Sequence, residues 1–275
     1  MRTRYTSRAS ARRTSKPKNQ WSTAAAKHLL EITGHPETID CAVYLVAKQY
    51  LEGVNCPPTD LEAAAAKAKV TQIIADDLPV SGELRRNGKH LTIVYSDCLS
   101  EARRRFTIAH ELAHAILEHT MARAPRKGDE LERLCDMLAS EIVMPRDLFQ
   151  SLATEEPSLL NLLKLAQLFK TSLSATGIRY AKLKGVSVFY IDNETVTWGS
   201  GVVRKGPMSS LDFGLKLALE ESKELQRIST RLSLDKPTWS GEWKLEYHAF
   251  RGGTRALCML EPLRTEKSHD VSSRM

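Results

Sequence analysis

The chain has 275 residues, 42% of them hydrophobic, enough for one large domain or two smaller ones around a sizeable core. No apolar run reaches the ~18–20 residues that a membrane-spanning helix needs, so the sequence reads as a soluble protein with no membrane partner. The net charge of +7 suggests a nucleic-acid partner, but residues 1–20 carry seven Arg and Lys and no acid, leaving 33 basic against 33 acidic residues elsewhere; direct nucleic-acid binding by the folded body is not expected.

In chain order, residues 1–20 are rich in Arg, Ser and Thr with almost no large apolar side chain, a composition that predicts a disordered basic tail. The tail lacks the apolar stretch of a secretory signal. Its Arg- and Ser-rich, acid-poor texture also matches an organelle transit peptide, and a solvated tail is preferred to targeting or nucleic-acid contact. Residues 21–52 read as helices broken at Gly34-His35-Pro36. Pro57-Pro58 is a stop, after which Thr59 is expected to cap a helix over Leu61–Lys69 with Glu62 in its first turn. Strands are expected at Val70–Ile74 and Leu91–Ser96, the second following the turn signal Asn87-Gly88, with Gly82-Glu83-Leu84 as a short partner.

Helix resumes over Glu101–His119, a loop follows at 124–128, and Asp129 is expected to cap a helix running to Val143 before Met144-Pro145. Three short helical stretches are predicted at 146–153, 158–170 and 173–184, then strands at Val186–Ile191 and Thr195–Trp198, a helix at Leu211–Leu225, and strands at Lys244–Phe250 and Arg255–Leu260. The last dozen residues are polar and expected to be loose.

Cys41, Cys56, Cys98, Cys135 and Cys258 are odd in number and widely spaced, with no C-x-x-C pair. This opposes a disulfide framework and a cysteine zinc cluster, and fits partly buried thiols in a reducing cytosol.

One motif carries chemistry. Residues 106–119 read FTIAHELAHAILEH. On a helix His110 and His114 lie one turn apart on the same face and can aim two imidazoles at one point. That suits zinc, which takes nitrogen ligands at about 2.0–2.1 Å in tetrahedral geometry. Glu111 projects from a neighbouring part of the surface and can act as a base; H-E-x-x-H is a metalloprotease signature. The competing reading is a pair of solvated histidines on an amphipathic helix. The flanking Phe106, Ile108, Ala109, Leu112, Ala113, Ile116 and Leu117 are apolar on nearly every side, so this helix is expected to be buried and its histidines to need partners.

A catalytic zinc site needs a third protein ligand. Glu132 on the next helix is the first choice, with Glu130 and Glu141 as competing carboxylates. Asp136, one turn beyond Glu132, is placed to hydrogen-bond a ligand histidine. Glu132 has a purely structural reading too, as the N3 partner of Asp129 in a capping box.

RRRFTIAHELAHAILEH followed by ERLCDMLASEIVMP resembles the ImmA/IrrE family of metallopeptidases, a compact gluzincin-like group. Pro57-Pro58-Thr59-Asp60-Leu61, Ser81-Gly82-Glu83-Leu84 and LAQLFKTSLSATGIRY also look like that family, so the likeness covers about residues 38–185. It implies metal ligands at His110, His114 and Glu132, a hydrogen-bonding partner at Asp136 and a catalytic glutamate at Glu111. Many relatives carry a second acid where this chain has Leu134. The resemblance further implies a protein substrate, a helix-turn-helix transcriptional repressor, whose cleavage releases silenced genes.

The expected architecture is α+β: a zincin-like metallopeptidase domain over 21–145, a helix-turn-helix-like segment over 146–185, a C-terminal α+β module over 186–263 and a loose tail over 264–275. The cofactor expected is Zn2+, with Mn2+ or Fe2+ fitting similar ligands. Leu91–Ser96 is expected to serve as a sheet edge for an extended substrate, and Tyr95 or His90 are candidates to bind the oxyanion, with core or surface roles preferred for both. Arg103, Arg104 and Arg105 can dock an acidic segment, although a solvated first turn is the preferred reading. The alternative function is a DNA-binding or sensor regulator whose metal site is structural.

Overall fold

The computed structural model describes residues 24–120, 128–211, 213–225, 229–234, 241–250 and 254–263. The basic tail, the C-terminal tail and the expected loop at 124–128, save Gly128, lie outside the described residues.

Helices α1 (Ala24–Ile32) and α2 (Ile39–Tyr50) are separated at Gly34 and His35, both at positive φ, and Thr38 caps α2 by accepting the Cys41 N–H. Helix α3 (Leu61–Lys67) is capped by Asp60, whose carboxylate accepts the N–H groups of Glu62 and Ala63 at 3.0 Å each. Thr59, the expected cap, is instead buried, and its carbonyl accepts Arg105 Nη2 at 2.7 Å. A carboxylate on the solvent side serves the helix end, while the inward hydroxyl does not reach it.

Strands β1 (Val70–Asp76), β2 (Gly82–Asn87) and β3 (His90–Ser96) form a sheet of order β1-β3-β2, with β1 parallel and β2 antiparallel to β3. The β2–β3 hairpin turns through Gly88 at φ 61°. Against this sheet lies α4 (Glu101–Thr120), which buries Ile108, Ala109, Leu112, Ala113, Ala115, Ile116 and Leu117. That apolar face, spanning most of the circumference, explains why the helix sits in the core rather than on it.

Helix α5 (Asp129–Val143) packs on α4. Its N-cap is Gly128, at φ 143°, whose carbonyl accepts the Glu132 N–H at 3.1 Å. Asp129 is therefore the first helical residue rather than the cap, because only glycine accepts that backbone geometry. The capping-box role is thereby removed from Glu132, which lies one position too far along.

Helices α6 (Arg146–Leu152), α7 (Leu159–Phe169) and α8 (Leu173–Lys184) follow, and α7 and α8 lie on a second sheet. Its strands are β4 (Ser187–Asp192), β5 (Thr195–Gly199), β6 (Gly206–Pro207), β7 (Ser229–Leu234), β8 (Gly241–Ala249) and β9 (Arg255–Pro262), antiparallel in the order β6-β5-β4-β9-β8-β7. Helix α9 (Phe213–Leu225) covers the other face at β7 and β8. Strands β6 and β7 are additional to those expected.

Among the described residues this α+β fold has two cores. The first runs from α1 to α8 and takes Val188, Leu257 and Met259 from the second sheet; the other holds Phe189, Val196, Leu215, Leu245 and Cys258 beneath α9. The two are tied at α7, where buried Glu246 on β8 accepts the Leu159 N–H at 2.8 Å and so serves the α7 N-terminus. Among the described residues all five cysteines are free, with Cys135 and Cys258 buried. No described helix is long and apolar enough to cross a membrane.

Candidate metal centre

The 3.6-residue repeat of α4 stacks His110 and His114, and their Nε2 atoms come within 3.2 Å. From α5, Glu132 Oε2 lies 3.2 Å from His110 Nε2 and 3.5 Å from His114 Nε2. Donors each about 2.0–2.1 Å from a shared tetrahedral ion stand about 3.3 Å apart. The spacing and the two-nitrogen, one-carboxylate chemistry thus fit a divalent cation, with His110, His114 and Glu132 as the residues that would hold it. Among the described residues no other group of three such side chains converges.

Asp136 Oδ1 lies 2.9 Å from His110 Nδ1. With the proton on Nδ1 donated to this carboxylate, the Nε2 lone pair faces the other two donors. Of the competing carboxylates, Glu130 is half-buried in the first turn of α5 and lies outside the converging group. Glu141 is buried between Arg146 and Arg179, at 3.1 and 3.0 Å, and acts as a structural charge. Leu134 is fully buried in the core, which accounts for its apolar side chain.

Glu111 points from the same helix into a cleft of about 1060 Å³. Burial pushes its carboxyl above the ordinary glutamate range, the charge of His110 opposes this, Glu132 adds to it, and a hydrogen bond from the Leu84 backbone N–H opposes it. Burial also lowers the His114 pKa, with Glu132 opposing, so that imidazole favours its neutral, metal-binding form.

Strand β2 supplies the adjoining wall. Its Gly82 packs so closely on α4 that a Cβ would lie 2.4 Å from Thr107 Cγ2. The expectation for Leu91–Ser96 is corrected here: β3 is the central strand, bonded on both sides, and cannot accept another. The edge strands are β1 and β2, and β2 is the one beside the cleft. Since Ser81 O accepts the Ser96 N–H, the alternation of an antiparallel ladder turns the amides of Gly82, Leu84 and Arg86 away from β3. Tyr95 packs on the core and His90 is exposed at the hairpin; neither lines the cleft. The arginine run divides by helical phase: Arg105 turns inward to Thr59, whereas Arg103 lines the cleft and donates to Ser81 Oγ at 3.3 Å.

The opposite wall comes from outside the expected site residues. Helix α8 presents Ser174, Ala175, Ile178, Arg179 and Lys182 to the cleft while burying Thr176, Gly177, Tyr180 and Ala181. The isolated glycine at 177, where a Cβ would meet Trp198 at 2.7 Å, is the one local mark of that packing.

The family model described as an IrrE N-terminal-like domain (Peptidase M78) matches residues 66–180. Among solved structures, one described as a Mycobacterium tuberculosis transcriptional regulator is similar at 14% identity and a TM-score of 0.45, over 86% of this chain and 79% of that chain. No curated protein matches. Residues 66–180, which carry the converging donors and Glu111, thus match an IrrE N-terminal-like domain, consistent with the ImmA/IrrE resemblance.

Proposed function

We propose that this chain is a zinc-dependent endopeptidase, acting in the cytoplasm on a helix-turn-helix transcriptional repressor and so releasing the genes it silences. The observation that carries the reading is the tetrahedral spacing of the His110, His114 and Glu132 donors, with the Glu111 carboxylate in the same cleft. The repressor as substrate rests on the family resemblance.

A divalent cation held by these residues would supply Lewis acidity toward a water and the scissile carbonyl; Mn2+ or Fe2+ would suit the same donors. Glu111 takes the proton of the attacking water and returns it to the leaving amine. Its burial favours this work, because a carboxylate raised above its ordinary pKa is a stronger base once ionised. Asp136 holds the His110 tautomer. An extended peptide would lie along β2, where the outward amides of Gly82 and Arg86 stand beside the one that Glu111 uses.

The DNA-binding alternative finds little support in α8. Its basic residues are engaged within the protein: Arg179 with Glu141, Lys182 with Asp40 at 2.9 Å, and Lys184 with the Glu155 carbonyl at 3.3 Å. The test is Glu111→Gln, incubated with the repressor encoded beside the gene. Zinc should remain bound while cleavage stops, and a chelator should stop the wild type. Unchanged cleavage by the variant would remove Glu111 from the mechanism.

A further inference from the structure

We propose that Arg103 is a specificity-determining residue that selects a substrate carrying an acidic side chain about three residues from the cleaved bond. The inference rests on the peptidase reading and deepens it.

His110 meets Asp136 while His114 meets Glu132, so α4 and α5 run antiparallel and the first turns of α4 share one end of the cleft with the last turns of α5. Four cations line the cleft: Arg103, Arg146, Arg179 and Lys182. Three are committed. Arg146 and Arg179 hold Glu141 at 3.1 and 3.0 Å, and Lys182 holds Asp40 at 2.9 Å. Arg103 is exposed and holds only the Ser81 hydroxyl among the described residues. These four cations face two carboxylates, Asp40 and Glu141, so this end carries an excess of positive charge. The remaining acids of the site, Glu111, Glu132 and Asp136, cluster at the donor end.

The position follows from helix geometry. Arg103 precedes His110 and Glu111 by seven and eight residues, about 10–12 Å along α4 at 1.5 Å per residue. An extended peptide advances about 3.3 Å per residue, so the guanidinium stands about three residues from the bond beside Glu111. Ser81, which holds Arg103, immediately precedes the edge strand β2 along which the peptide would run.

The experiment uses the full-length, zinc-loaded protein and a mixture of randomised synthetic dodecapeptides, with cut sites read by mass spectrometry. Wild type should enrich Asp or Glu about fivefold at one position about three residues from the cut, as a partly exposed ion pair allows. Arg103→Gln should lose the enrichment, and Arg103→Glu should replace it with Lys or Arg. The same preferences in all three proteins, or no acidic preference in wild type, would overturn the proposal. A second arm captures the same peptides on immobilised, zinc-loaded Glu111→Gln protein and needs no turnover. Retained peptides should be acid-enriched, and Arg103→Glu added to that background should abolish the enrichment; enrichment that persists overturns the role of Arg103. Were wild type to cut nothing while capture behaved as expected, the peptidase reading would fail and the acidic-segment site would stand. Zinc content of each variant reports its folding.

Discussion

Replacing Gly82 with alanine tests the packing that brings the edge strand to Glu111. The backbone of Gly82 is ordinary, so the constraint is steric. The added methyl would sit 2.4 Å from Thr107 Cγ2, 3.2 Å from Val94 O and 3.5 Å from Glu111 Cγ. Carbon atoms settle about 3.5–4.0 Å apart, so β2 and α4 must separate by about 1 Å. Thr107 is buried and stiff at χ1, so its side chain has little room to turn away. Overpacking of this kind costs about 1–3 kcal/mol. Thr107→Ser deletes the opposing methyl at a cost of about 1 kcal/mol, and the double variant should recover most of the Gly82→Ala loss, a coupling of about 1–2 kcal/mol. Urea unfolding of the zinc-free proteins measures the cycle without metal linkage. The same displacement pulls the Leu84 amide from Glu111, so kcat should fall in Gly82→Ala and recover in the double variant. Additivity within about 0.5 kcal/mol would refute the argument that the Thr107 methyl is what demands glycine.

Asp136→Ala should weaken zinc binding about 10–100-fold, measured by competition with a chromophoric chelator, because the His110 ring loses its orienting partner. Glu141→Ala should cost about 3 kcal/mol in urea unfolding, since it strands Arg146 and Arg179, while zinc stoichiometry stays unchanged; loss of zinc would instead favour Glu141 as a ligand. His114, with its pKa lowered from the ordinary 6.5, binds a proton in the unfolded chain before it does so in the folded one. Zinc-free protein should therefore lose stability as pH falls below about 6.5 and through the depressed folded value. Buried Glu111 acts oppositely, since its raised pKa lets the folded state take up a proton first. His114→Gln should remove the destabilising component on acidification while leaving the Glu111 component in place, as chemical denaturation at a series of pH values would show.

Much of the site was legible because its rules are local. Two histidines four residues apart share a helix face whatever surrounds them. The apolar flanks of His110 and His114 announced burial, Gly34-His35-Pro36 announced a break, and Asn87-Gly88 announced the hairpin that places β2. Glu132 could be ranked over Glu130 and Glu141 from sequence, but the arginines that engage Glu141 come from α6 and α8 and become neighbours only on folding.

Cap identities failed narrowly at Thr59 and Asp129, where the choice between adjacent residues depended on which side faced the core and on a backbone angle reserved to Gly128. The alternation of Leu91–Ser96 marks a strand but not its neighbours. Its central place came from pairing with β1 and β2 together, so the edges passed to those two strands, of which β2 borders the cleft. Three consecutive arginines look alike in the chain, and helical phase spreads them around α4, but only the positions of Thr59 and Ser81 show which one enters the cleft. The sequence by itself determined which donors share a helix face, because that follows from backbone geometry within one turn. Only the tertiary structure decided which strand edge, which arginine and which helix, α8, complete the cleft, because those depend on partners distant in the chain that packing alone brings together.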